Sequence, residues 1–207
     1  MDWRKSRLVL VSLIIGMTSA ACSSAGKAKE YSPSEEYIQR VKKLSIKDEL
    51  YSGWTNIFHY SATLITKDIY AEQIEFQSKV YKWTQDEIIK HRRKMLEELG
   101  NQSKMFISFF TPEIRYNDLN EPKSIWRVYL VVNGTRYLGD VKKNSQAYPR
   151  LKSIYPKHSP WGKAYDVSFA VPYESLERAD SIDLVITGDL GLSEKSIPVH
   201  LIKAEIN

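Results

Sequence analysis

The second half of the chain alternates between apolar and polar positions with a period of two, which is typical of β-strands that bury one face. The clearest example is "WRVYLVVNGTRYLGDV" at 126–141, in which Trp126, Val128 and Leu130 fall on one side. The Asn133-Gly134 pair separates its two halves, and Asn-Gly is the preferred centre of a type I′ turn. This stretch therefore predicts a β-hairpin.

Further strands are predicted where β-branched and aromatic residues run between turn signals. One of them, at 55–66, precedes the two-helix part of the chain. The other four follow it, at 104–111, 164–172, 181–189 and 196–206. Repeated short strands at this spacing are typical of an antiparallel sandwich or barrel.

Other segments follow the helical period instead. Residues 33–44 predict a short amphipathic helix, with Ser32 as the cap and Pro33 at its first position. Asp68 is the predicted cap of a second helix at 69–83. Thr84 is the predicted cap of a third at 85–99, which Gly100 is expected to end as a C-cap glycine.

These elements predict a mainly β fold with helices. The preferred architecture is an antiparallel β-sandwich with a two-helix insertion at about 67–100, after the first strand, and a short N-terminal helix. The alternative is an α+β sheet with helices packed on one face. Residues 33–207 are expected to form a single globular domain.

The first 21 residues have the three-part layout of a secretory signal peptide. The charged start "MDWRKSR" is followed by an apolar run at 8–17 and by the small residues of "TSAAC". The apolar stretch is shorter than the roughly 20 residues that a transmembrane helix needs. Residues 1–21 are therefore predicted to be removed.

The sequence "TSAAC" resembles the lipobox of bacterial lipoproteins, although Ser19 stands where that family usually has leucine. The resemblance implies cleavage between Ala21 and Cys22 and lipidation of the Cys22 sulfur. Residues 22–32 then form a flexible tether. Because Ser23 rather than aspartate follows the cysteine, the family's sorting pattern implies the outer membrane of the bacterial cell envelope.

The cysteine count supports the same interpretation. Exported proteins usually carry cysteines in pairs, because their compartment is oxidising. Cys22 is the only cysteine of the chain and lies where the apolar run ends. An attachment point explains a lone thiol at this position.

Net charge and motifs exclude several functional classes. The chain carries +5, which falls to +3 without the leader, and its basic residues are scattered, so no nucleic acid partner is expected. Nucleotide-binding glycine loops and the HExxH and GxSxG motifs do not occur. The four histidines are far apart, and "YNDLNEP" at 116–122 fits a turn better than a calcium loop. We therefore expect no metal, no cofactor and no enzymatic activity.

One segment carries a positive hypothesis. Residues 147–165 contain three prolines and a set of rings that could bind a glycan or a peptide, namely Tyr148, Tyr155, His158, Trp161 and Tyr165. The other interpretation is that the rings cover the open end of the sandwich.

Three functions follow. The first is a non-catalytic envelope lipoprotein that serves as a structural or interaction module and is held to a membrane through Cys22. The second is a glycan- or peptide-binding module that uses residues 147–165. The third is an envelope hydrolase whose site has no recognisable motif, for example His158 with a carboxylate.

Overall fold

Eight strands form one continuous antiparallel sheet in the computed structural model, which describes residues 32–203. The predictions for Ala21, Cys22 and the signal peptide lie outside the described residues. The strands are β1 (Ser45–Ser52), β2 (Thr55–Ile65), β3 (Ser103–Phe110), β4 (Trp126–Val132), β5 (Thr135–Lys143), β6 (Lys163–Phe169), β7 (Ile182–Gly188) and β8 (Gly191–Ser196).

The strand order is β1-β2-β3-β6-β5-β4-β7-β8, and the sheet curls until its two edge strands meet. Ser193 of β8 donates a hydrogen bond to Asp48 of β1 at 2.6 Å, and Lys195 pairs with the same carboxylate at 3.1 Å. The result is nearly barrel-shaped. The prediction of a mainly antiparallel β fold with helices is confirmed.

Strand β5 connects the two halves of the sheet by changing partners at Gly139. Its residues 135–138 pair with β4, and its residues 139–143 pair with β6. A Cβ atom at Gly139 would lie 2.6 Å from Cγ1 of Val167, 3.1 Å from the ring of Phe169 and 3.2 Å from the carbonyl oxygen of Val128. The corner therefore requires a residue without a side chain.

The inner face of the curled sheet holds the aromatic core. The Trp126 ring lies edge-on to Phe58 and to Phe109, with ring centres 5.1 and 5.6 Å apart. All three side chains are almost completely buried. Each such ring contributes a large apolar area and a preferred edge-to-face contact, so this cluster joins the two halves of the sheet.

Helices pack around the sheet and follow local capping signals. They are α1 (Glu35–Lys43), α2 (Lys67–Tyr81), α3 (Gln85–Asn101), α4 (Tyr148–Ile154), α5 (Tyr173–Glu177) and α6 (Val199–Lys203), with a 3-10 turn at Ile114–Tyr116. Thr84 caps α3 as predicted, in a capping box with Glu87.

Several helix boundaries differ from the predictions. Ser34 rather than Ser32 caps α1, and Thr66 rather than Asp68 caps α2. Gly100 lies inside α3, whose C-cap is Gln102. The N-cap of each of these helices is the residue whose hydroxyl accepts a hydrogen bond from the backbone amide three residues further on. Several polar residues near a helix start compete for that position.

Two edge strands were missed from the sequence. Strand β1 carries the charged residues Lys47, Asp48 and Glu49 at its centre, and only Ser193 of β8 is buried. Polar residues are usual on edge strands, where they discourage pairing with other chains. The two-helix insertion consequently follows the second strand, because β1 precedes β2.

The strand predicted at 196–206 is wrong within its described part. Ser196 ends β8, and Pro198 lacks the amide that a strand would donate. Val199–Lys203 is a helix instead, and the Leu201 amide donates to the Pro198 carbonyl at 3.1 Å.

The corner at Gly139 yields a matched pair of substitutions. Gly139→Ala should lower the free energy of unfolding by about 1–3 kcal/mol, because the new methyl group overpacks against Val167. Gly100→Ala should raise it by about 0.5 kcal/mol, because that helical position has open space and alanine favours a helix. Urea unfolding of both variants measures the difference, and equal stability of the two would contradict the role given to Gly139.

Candidate functional site

A groove of about 390 Å³ lies on the outer face of the sheet. Helices α2 and α3 form one wall, and β5, β6 and α4 form the other. This volume falls within the range of small-molecule sites. We call it the outer groove.

The wall formed by α2, α3 and β3 carries a hydrogen-bonded cluster. The Tyr70 hydroxyl donates to Oε2 of Glu98 at 2.7 Å, and Nζ of Lys104 donates to the same oxygen. Desolvation favours a higher pKa for Glu98, but the bonds from Lys104 and Tyr70 outweigh it and lower that pKa. Burial raises the pKa of Tyr70, and the bond to Glu98 raises it further. Glu98 is therefore a carboxylate and Tyr70 a neutral donor at pH 7.

The opposite wall presents Asp166 of β6. Nδ2 of Asn144 donates to both carboxylate oxygens of Asp166, at 2.9 and 3.1 Å. The backbone N–H of Gln146 donates to Oδ1 of Asn144 at 3.0 Å. In register, Asp166 lies between Phe106 and Lys142. It keeps accessible surface within the groove. Desolvation by the surrounding protein raises the pKa of Asp166, and the Asn144 bond opposes this shift.

The segment at 147–165 does not form one continuous aromatic loop. Tyr148 begins α4 and Tyr165 belongs to β6. Tyr165 and Tyr155 are buried, whereas Tyr148 is 38 % and Trp161 75 % exposed. The fold thus brings two of the five predicted rings to the surface and buries the other three, which include His158.

The buried rings of this segment have structural contacts. Tyr155 stacks on Phe106 with ring centres 3.7 Å apart. The Tyr165 hydroxyl donates to the Asn117 carbonyl at 3.1 Å, and burial raises the pKa of Tyr165 to about 12. Tyr155 fixes the segment against β3, and Tyr165 holds the loop that contains Asn117.

His158 pairs with a serine rather than with a carboxylate. Its Nδ1 lies 2.7 Å from Oγ of Ser108, which also accepts from the Ser159 amide at 3.2 Å. The backbone of Gly162 covers this hydroxyl so closely that a Cβ there would lie 2.4 Å from Oγ. Burial lowers the pKa of His158, and Lys152 contributes to the shift. The pair holds the 155–162 segment to β3.

A second surface is formed by one end of the sheet. The β1–β2 turn, the β7–β8 turn, the connection after β3 and the loop before β6 all lie at this end, because neighbouring strands are antiparallel. These turns expose six large apolar side chains, which we call the apolar end: Tyr51, Trp54, Ile114, Trp161, Leu190 and Leu192.

The sequence carried weak signals for both surfaces. Asp166 alternates with the buried Tyr165 and Val167, which places it on the other face of β6. The glutamines and Asn144 at the groove come from α2, from the end of α3 and from the connection between β5 and α4, so no motif links them. Trp54 stands beside Gly53 in a turn, where a fully exposed tryptophan has no packing role.

Comparison with known proteins found no matching family model and no matching curated protein. Within residues 32–203, no group of three or more histidine, cysteine, aspartate and glutamate side chains is arranged to hold a metal ion. No helix in the described part of the chain is long and apolar enough to cross a membrane.

The buried His158 predicts a pH-dependent stability. Its folded-state pKa lies below the value of about 6.5 for an exposed histidine, so the unfolded chain binds the proton more tightly. The stability contribution is present above the unfolded-state pKa of about 6.5, and it is lost as the pH falls from there through the lower folded-state pKa. Unfolding midpoints in urea at pH 7.5 and 5.5 should therefore differ less in His158→Gln than in the wild type.

His59, whose pKa is also lowered by desolvation, accounts for part of the remaining difference. The matched control is His200→Gln, because His200 is an exposed histidine on α6. This control should retain the wild-type pH dependence. Equal behaviour of the His158 and His200 variants would show that His158 is not the responsible group.

Proposed function

We propose that this protein is a lipid-anchored lipoprotein of the bacterial cell envelope, outer-membrane in location, whose domain acts by binding rather than by catalysis. Its partner is another envelope protein. The lipobox-like "TSAAC" with the single Cys22 supports the anchor. Two acyl chains on Cys22 would hold the protein to the membrane, since each buried methylene contributes about 0.8 kcal/mol of binding free energy.

The observation that carries the interaction role is the apolar end. Trp54 is fully exposed and Trp161 is 75 % exposed. Exposed apolar patches mark interaction sites, and tryptophan is enriched among the residues that dominate binding energy. Six such side chains on the turns of one end form a surface that a partner would shield from water.

The non-catalytic assignment is supported by the hydrogen bonds that already tie the candidate acid–base groups to other protein groups. Glu98 is hydrogen-bonded to Lys104 and Tyr70. The Ser108–His158 pair resembles a nucleophile and its base, but the Gly162 backbone seals the hydroxyl. A catalytic pair needs space for a substrate atom beside both groups.

The scaffold for this role is sandwich-like in our proposal. The halves of the sheet on either side of Gly139 face each other across Trp126, Phe58 and Phe109. Such a packed core leaves the turns at each end free to vary and to bind.

The anchor is tested by Cys22→Ala in the full chain. The variant should retain its signal peptide and take up no labelled palmitate. Cys22 provides the only thiol, so acyl labelling of the wild type reports on this position alone. Normal processing and labelling of the variant would refute lipidation at Cys22.

The apolar end is tested by photo-crosslinking in cells. A photoreactive residue in place of Trp54 or Trp161 should give a discrete adduct with one envelope protein. The matched control is position 96, because Leu96 is comparably exposed but lies on α3. Adducts that are identical at 54 and 96, or absent at both 54 and 161, would contradict the proposal.

A further inference from the structure

We propose that the outer groove binds a neutral carbohydrate, with the Asp166 carboxylate and the carboxamides of Gln77, Gln102 and Gln146 as its hydrogen-bonding groups. This site is separate from the apolar end and does not depend on the anchor.

The lysines that line the groove are paired with protein carboxylates. Lys104 is paired with Glu98, and Lys142 is paired with Asp140 at 3.0 Å. Both lysines of the lining are thus already neutralised by protein carboxylates. A phosphate or another strongly anionic ligand would have to break these pairs, whereas an uncharged ligand leaves them intact.

Three carboxamides of the lining are uncommitted. Among the described residues, the side-chain amides of Gln77, Gln102 and Gln146 have no hydrogen-bond partner. A carboxamide has both donor and acceptor atoms. A sugar hydroxyl likewise donates and accepts, so adjacent hydroxyls match the two ends of a planar amide.

Asp166 adds a fixed acceptor. The Asn144 side chain donates to both carboxylate oxygens of Asp166. The backbone N–H of Gln146 in turn donates to the Asn144 side chain and holds it in place. The carboxylate plane is therefore set before any ligand arrives, which reduces the ordering cost of binding. Its remaining lone pairs can accept from two neighbouring hydroxyls.

The apolar part of the lining complements the other face of a sugar ring. The half-buried Tyr70 contributes an aromatic ring, and the nearly buried Leu151 and Ile154 of α4 line the groove behind it. A mixed lining of this kind, with few oriented polar groups on an apolar surface, is typical of small-molecule sites. Sugars present polar edges and apolar C–H faces, which fits this lining.

The experiment is a titration of the full chain, purified in a detergent that contains no sugar. The probes are tri-N-acetylchitotriose and maltotriose, with trialanine as a neutral peptide. Trp83 stacks on His91 at the groove, with ring centres 3.9 Å apart, so tryptophan fluorescence should report occupancy. Isothermal titration calorimetry gives an independent affinity.

We expect saturable binding of at least one trisaccharide. Asp166→Ala should weaken it at least tenfold, since a hydrogen bond to a charged group is lost. Gln102→Leu and Gln146→Leu should each weaken it severalfold, and these side chains hold no other described residue in place. The matched control is Asp189→Ala, which removes an exposed carboxylate in the β7–β8 turn and should leave affinity unchanged.

Two results would overturn the proposal. One is that neither trisaccharide binds, or that trialanine binds in their place. The other is binding that the groove variants and Asp189→Ala affect equally. Urea unfolding of each variant identifies any loss of fold. Crosslinking at Trp54 and labelling at Cys22 are measured separately. A failure to bind sugar can therefore be told apart from a failure of the proposed function.

Discussion

The absence of a side chain at Gly139 is the constraint on which the rest of the structure depends. Strand β5 can leave β4 and join β6 because its backbone passes within contact distance of Val167, Phe169 and the Val128 carbonyl. This crossing curls the sheet, which brings Trp126 of one half against Phe58 of the other. The aromatic core fills the inside of this curl, and the two edge strands meet where Ser193 and Lys195 of β8 contact Asp48 of β1.

The same curl separates the two faces of the sheet. The inner face is filled by aromatic side chains, and the outer groove and the apolar end lie on the outer face and on the turns at one end. Helices α2 and α3 cover part of the outer face and leave the outer groove beside β5 and β6. The turns at one end expose Trp54 and Trp161. One scaffold thus supports two surfaces of different chemistry, one polar and concave, the other apolar and exposed.

Much of the fold follows from local sequence. The Asn133-Gly134 turn has the positive φ angles of 48° and 80° that its dipeptide predicts, and Thr84 forms its capping box as expected. The two missed strands have a common origin. Strand β1 and β8 carry polar residues because they are edges, and Asp48 is stabilised by Ser193 from the far end of the chain. A local pattern cannot reveal a partner that is 145 residues away.

The sequence by itself predicts a removable leader with a lone Cys22, and it determined the hairpin, the capping box of α3 and most of the alternating strands. These depend on charge, short-range hydrogen bonds and periodicity, which act between near neighbours. Only the tertiary structure decided that Tyr155 and Tyr165 are buried, that Trp161 is exposed, and that Asp166 faces a groove with Gln102 and Gln146. Burial and convergence depend on which distant strands pair, and that is set by the curl of the sheet as a whole.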